Sequence, residues 1–95
     1  MWHDGGVDNL GTLPGDLYSL AFDLNNRGTV VGWSYTSFEA PHAFMWRNGY
    51  MTPLGALPGS SASCAYRISE NGWVAGLSDS TDGRYHAVLW RLPPQ

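Results

Sequence analysis

The stretch LGTLPGDLYSLAFDLNNRGTVVGWSY (residues 10–35) returns as LGALPGSSASCAYRISENGWVAGLSD (residues 54–79), with no gap. The match extends in both directions. Met1, Trp2 and Gly5 fall on Met45, Trp46 and Gly49, while His42, Ala43 and Trp46 fall on His86, Ala87 and Trp90, a constant offset of 44 residues. A period of that length is the signature of solenoids, propellers and other repeat architectures. The repeated positions are glycines, small residues and tryptophans (Gly28/Gly72, Gly32/Gly76, Ser19/Ser63, Trp46/Trp90), residue types that report architecture and not chemistry.

Each unit reads as four short antiparallel strands. The LG-x-LPG segment is a non-sheet connection, since Gly and Pro interrupt a ladder. The expected strands are 18–24 and 62–68, then 29–35 and 73–79, then 42–47 and 86–91, and finally 50–54, whose first-unit counterpart is 6–10. NNRG and SENG separate the first two strands as hairpin turns, with Gly28 and Gly72 supplying the positive φ. RNG at residues 47–49 is a second turn. In the first strand, strict alternation puts Leu20, Phe22 and Leu24 on one face and Ser19 and Ala21 on the other. Small or apolar residues on both faces imply burial on both faces.

The expected fold is therefore all-β: two tandem antiparallel four-stranded blade-like repeats in a single domain, with periods 1–44 and 45–88 and residues 89–95 opening a third. The strand tally runs one, four and three. The unpaired last edge has the sequence type of the chain's own first strand, so the expectation is a propeller-like ring closed by strand sharing between copies, with three or four protomers giving six or eight blades. A pair of stacked sheets in a simple dimer is the alternative.

Composition bounds the function. The chain has 95 residues, 43% hydrophobic and 14% charged, where about 25% charged is usual. A domain this small buries only about two thirds of its unfolded surface. The low charge content and the apolar flanks together point to a homo-oligomer. Net charge is −3, with five arginines, no lysine and no basic cluster along the chain, so nucleic acid is not an expected partner. No run is long enough for a membrane span, and the start lacks the basic and apolar regions of a secretory signal. Cys64 has Leu20 as its repeat counterpart and reads as a buried apolar thiol.

The pattern MWRNGYMTPLGALPGSSASCAYRISENGWVAGLS followed by HAVLW resembles the bacterial HAF repeat, named for the triplet present here as His42, Ala43 and Phe44; the second copy has Val88 in the third place. The resemblance covers essentially the whole chain. It implies a β-repeat, and its members, usually long arrays, are described as extracellular proteins of unknown function. It implies no reaction.

The candidate chemistry is sparse. His42 and His86 repeat in register, and each is expected to pack at a strand entrance with a ring nitrogen donating to a backbone carbonyl. No His, Cys or carboxylate set has metal-ligand spacing, and the Asp-Gly of residues 80–84 reads as a turn, so neither metal nor cofactor is expected. Two glutamates and six aspartates are scattered mostly through turns, without the carboxylate pair that glycoside hydrolysis needs. There is no nucleophile elbow and no Cys/His dyad. What remains is recognition of a glycan or a protein by rings that differ between the copies: Trp33, which matches Leu77, and Trp73, which matches Thr29, with Tyr35 and Asp79 beside them. His42, His86, Trp46, Trp90, Gly28 and Gly72 are read as structural. A non-catalytic binding module is thus the first expectation, with a purely structural assembly role and, last, a propeller-type glycosidase as alternatives.

Overall fold

A computed structural model of the chain describes residues 10–36, 40–60 and 62–93, together with the backbone of residues 2–3 and 6–7. Within them the fold is all-β, without a helix. The strands are β1 (Trp2–His3), β2 (Gly6–Val7), β3 (Tyr18–Leu24), β4 (Val30–Tyr35), β5 (His42–Arg47), β6 (Tyr50–Pro53), β7 (Ser63–Ile68), β8 (Trp73–Asp79) and β9 (Tyr85–Arg91). They form an antiparallel β1-β2 pair, a four-stranded meander β3-β4-β5-β6 and a three-stranded meander β7-β8-β9. Both meanders are open at their edges.

The turns follow from local chemistry. Asn25 and Ser69 each close their hairpin twice, through Asn25 N–H to the Thr29 carbonyl (3.1 Å) and Ser69 N–H to the Trp73 carbonyl (2.9 Å), and through Gly28 and Gly72 N–H returning to the Asn25 and Ser69 carbonyls. The two glycines have φ of 79° and 86°, as the sequence requires. Asn48 and Gly49, at φ 54° and 88°, make the two-residue turn of the β5–β6 hairpin. The backbone register of β1–β2, Trp2 opposite Val7 and His3 opposite Gly6, repeats that of Trp46 opposite Met51 and Arg47 opposite Tyr50. The chain therefore begins on the last hairpin of a unit; residues 8 and 9 of the expected first strand lie outside the described residues.

One device was not read from the sequence. In both units the first strand carries a β-bulge: Ala21 faces Gly32 and Asp23 faces Val31, leaving Phe22 as the extra residue, and Ala65 faces Gly76 while Arg67 faces Ala75, leaving Tyr66. At the bulge the two backbones close so tightly that a Cβ on Gly32 would collide with the Leu20 carbonyl, and one on Gly76 with the Cys64 carbonyl. This explains the repeated glycine. The bulge also breaks the alternation expected for 18–24, because Leu20 opposes Trp33 whereas Leu24 opposes Val30, on the other face.

The two meanders stack. Val31, Ala43 and Met45 from one sheet meet Ala65, Ile68 and Val74 from the next, with Leu92 at the margin and Leu54 and Trp90 packed against the group. β7 lies across β3, β4 and β5. Burial on both faces holds for β4 and β5, which are covered along most of their length. It does not hold for β8 and β9. There Val74 and Ser78 are buried while Ala75, Leu77, Ala87 and Leu89 face solvent, because among the described residues nothing lies over the second face of that sheet.

The repeated serines fasten the connecting segments. Ser19 and Ser63 hydroxyls donate to the Gly11 and Gly55 carbonyls (2.7 and 2.9 Å), tying each LG-x-LPG segment to its own sheet. Cys64 is buried as expected, and burial pushes its thiol pKa up.

Replacing Gly76 with Ala forces backbone apart at the bulge and is expected to cost about 3 kcal/mol or more, while Ala75→Ser on the exposed face costs less than about 0.5 kcal/mol. Urea unfolding of the two variants checks this. Equal midpoints would show that the bulge tolerates a side chain.

Candidate functional site

Of the four residues expected to bind, the fold brings two together. Tyr18 opposes Tyr35 across β3 and β4, and Trp33 lies two residues along the same face. The rings are in contact: Tyr18 to Tyr35 at 5.4 Å between centroids, Tyr35 to Trp33 at 5.3 Å, and Trp33 stacked on Phe22 at 5.8 Å with the planes 13° apart. Phe22 then meets Tyr66 edge-on at 4.9 Å. Phe22 and Tyr66 are the two bulge residues, equivalent by the repeat, so the strip crosses from one unit to the other. Its rings are partly wet, with Tyr18 57% and Phe22 39% exposed.

Phe22 and Tyr66 were missed by reasoning from alternation. The signal that reveals them is the small pair opposite the bulge, Ala21 with Gly32 and Ala65 with Gly76.

Trp73 and Asp79 belong elsewhere. They stand at opposite ends of β8, six residues or about 20 Å apart. Trp73 is 41% exposed, with the Arg91 guanidinium 4.7 Å above its ring. The Asp79 carboxylate accepts the Ala62 N–H at 3.2 Å, a loop-fastening bond. No single small ligand touches all four residues.

The histidines are held by carboxylates and not by the carbonyls expected. His42 Nδ1 lies 3.0 Å from Asp16 Oδ2, and His86 Nε2 lies 3.1 Å from Asp82 Oδ2. The Asp differs between copies: Asp16 is in the LGTLPGD segment, where the second unit has Ser60, whereas Asp82 comes from the 80–84 turn. Asp82 Oδ1 also accepts the Ser80 hydroxyl (2.6 Å) and the Arg84 N–H (3.0 Å), which holds its pKa below the usual carboxylate value.

Asp16, Ser34 and His42 assemble the side chains of a hydrolase triad, but in the wrong order. Ser34 Oγ donates to Asp16 Oδ2 at 2.6 Å, the same oxygen that His42 approaches, so the carboxylate sits in the middle and the histidine does not reach the serine through it. A nucleophilic serine needs the histidine between them. Ser34 is also fully buried. The cluster is a clamp that fixes the LGTLPGD segment over β4 and β5. A cavity of about 230 Å³ lies beside it, lined by Leu13, Pro14, Asp16, His42, Pro53 and Ser63.

Burial pushes the Asp16 carboxyl pKa up, but hydrogen bonds from Ser34 and His42 and the attraction of the imidazolium outweigh it, and the net direction is down. A carboxyl with a lowered folded-state pKa stabilises the fold above its unfolded value near 4, and that contribution is lost as pH falls through the folded value. Asp16→Asn is therefore expected to cost about 1–2 kcal/mol at about pH 7, with the gap to the parent closing below about pH 4. Urea midpoints across that range test it; a gap independent of pH would assign the clamp to shape and not to charge. Comparison of the chain with protein-family models, curated proteins and solved structures gives no match that would place it beside a known protein.

Proposed function

We propose that the chain is a non-catalytic recognition module that binds carbohydrate on the ring strip Tyr18, Tyr35, Trp33, Phe22 and Tyr66. The observation that carries this is the contiguous, part-exposed strip of five rings, which the second unit does not repeat. At the positions equivalent to Tyr18, Trp33 and Tyr35 the second unit has Ala62, Leu77 and Asp79. In the first unit the rings touch one another in sequence and reach Tyr66 of the second, while Tyr18 and Phe22 stay part-exposed. Contiguous, part-exposed rings contributed by β3, β4 and β7 give the C–H faces of a sugar chain successive platforms, at little conformational cost to the protein. The central position of Asp16 in its cluster, with Ser34 sealed from solvent, supports recognition over hydrolysis.

A second reading, assembly with further copies, rests on the outer face of β8 and β9. Ala75, Leu77, Ala87 and Leu89 are the repeat equivalents of Val31, Trp33, Ala43 and Met45, the face that β7 covers in the first sheet. Leu89 is 66% exposed. A neighbouring copy stacking here would continue the blade-on-blade packing toward the propeller-like ring. Sharing Gly6–Val7 with a neighbour's β9 would require the β1–β2 pairing to open, since Trp2–His3 already holds that strand.

Titration of the protein with a glycan panel, followed by tryptophan fluorescence and backbone NMR, tests the first reading. Tyr18→Ala, on an exposed ring, and Trp33→Ala are each expected to weaken binding about tenfold, or 1.4 kcal/mol. Binding that survives both substitutions, or no binding to any glycan, overturns it. Light scattering tests the second: a mass of two to four chains that Leu89→Glu reduces to one supports assembly, and a monomeric parent protein excludes it.

A further inference from the structure

The repeat ends its third strand on arginine in both units, Arg47 and Arg91, and the turn after β3 adds Arg27. These residues are far apart in sequence and make no basic run. The fold nevertheless gathers all three around one groove of about 470 Å³ at the hairpin-turn end of the two sheets, with Asn25, Glu70 and Asn71 on its other walls. Three of the chain's five arginines thus line a single depression in a protein of net charge −3. Glu70 is the one carboxylate in that lining. Both its oxygens are turned to the Asn26 N–H, at 3.0 and 3.1 Å.

The walls are fastened across the repeats. The Asn25 side-chain amide donates to the Ser69 carbonyl (3.1 Å), and its oxygen accepts the Arg27 and Thr29 N–H groups (3.0 and 3.1 Å). Asp23 Oδ2 accepts the Ile68 N–H at 2.8 Å just behind. The guanidinium groups are held as well. Arg47 gives its Nε–H to the Thr29 hydroxyl (3.1 Å) and one terminal nitrogen to the Pro93 carbonyl (3.3 Å), which leaves its other terminal nitrogen uncommitted by these bonds. Arg91 is supported through its flat face on Trp73, a contact that uses the π-surface and leaves the rim of N–H donors for a ligand. Among the described residues neither Arg47 nor Arg91 has a carboxylate partner.

We propose that this groove is an oxyanion-binding site for a small carboxylate- or phosphate-bearing molecule, gripped by Arg47 and Arg91. Like charges gathered in a depression repel one another, and an anion offsets that repulsion while accepting paired N–H donors from the planar forks. The volume lies within the range of small-molecule sites. A nucleic-acid backbone is the poorer match, since strong binders neutralise about 6–10 phosphates. The site uses none of the rings of the strip and stands independently of the carbohydrate reading.

Titration of the full chain with inorganic phosphate, galacturonate and neutral galactose, followed through the arginine side-chain Nε–Hε resonances, tests the assignment. Saturable shifts of Arg47 and Arg91 with phosphate or galacturonate, weakened by added salt and absent with galactose, are expected; whichever anion saturates identifies the source of the oxyanion. Arg91→Gln is expected to weaken that binding about tenfold with the spectrum of the folded chain retained, and Arg84→Gln, on the turn outside the groove, to leave it unchanged. No saturation by either anion up to about 10 mM, equal response to galactose, or equal affinity in the Arg91→Gln protein overturns the proposal.

Discussion

Two backbones touching where no side chain fits organise this molecule. Gly32 and Gly76 each sit against the carbonyl of the residue that precedes a bulge, Leu20 and Cys64, and that approach sets the parity of everything downstream in β3 and β7. With one extra residue in the strand, Ile68 turns to Val74 and joins the core, Leu24 leaves the face of Leu20, and Phe22 and Tyr66 are left over to meet each other. Asp23, just after the bulge, reaches the Ile68 N–H of the neighbouring unit. A regular strand in the same place would reverse these faces, since a one-residue slip exchanges the two sides of a sheet.

The same repeat in two different surroundings explains why equivalent residues have different fates. Val31 and Ala43 are buried because β7 lies across them, whereas Ala75 and Ala87 look out into solvent. The hydrophobic effect rewards removal of apolar area from water regardless of which element supplies the cover. Exposure on β8 and β9 is thus a property of neighbourhood and not of sequence. The polar fastenings behave differently: each copy binds its histidine and closes its turns with whatever carboxylate or serine it has, Asp16 in one and Asp82 in the other. Apolar packing asks for shape, and the polar contacts need only a partner within reach.

The two proposed recognition surfaces follow from this arrangement. The ring strip exists because β3 and β4 pair Tyr18 with Tyr35 and the bulge adds Phe22 beside Trp33. The arginine groove exists because the stacking of units places the ends of their third strands beside the turns between their first two, with Asn25 bridging to Ser69. One surface is aromatic and the other cationic, and they use separate residues.

The sequence by itself determined the strands and turns: β3, β5 and β8 begin and end where the repeat and its turn residues put them, and Gly28, Gly72, Asn48 and Gly49 take the backbone angles their types favour. These are short-range preferences, settled by sterics within a few residues of the chain. Tertiary structure alone decided the rest. The bulge needed a partner strand to press against, the histidines chose carboxylates 4 and 26 residues away, and Arg27, Arg47 and Arg91 converged only when one unit stacked on the next. Proximity of that kind is written in the relation between elements, where periodicity and composition do not reach.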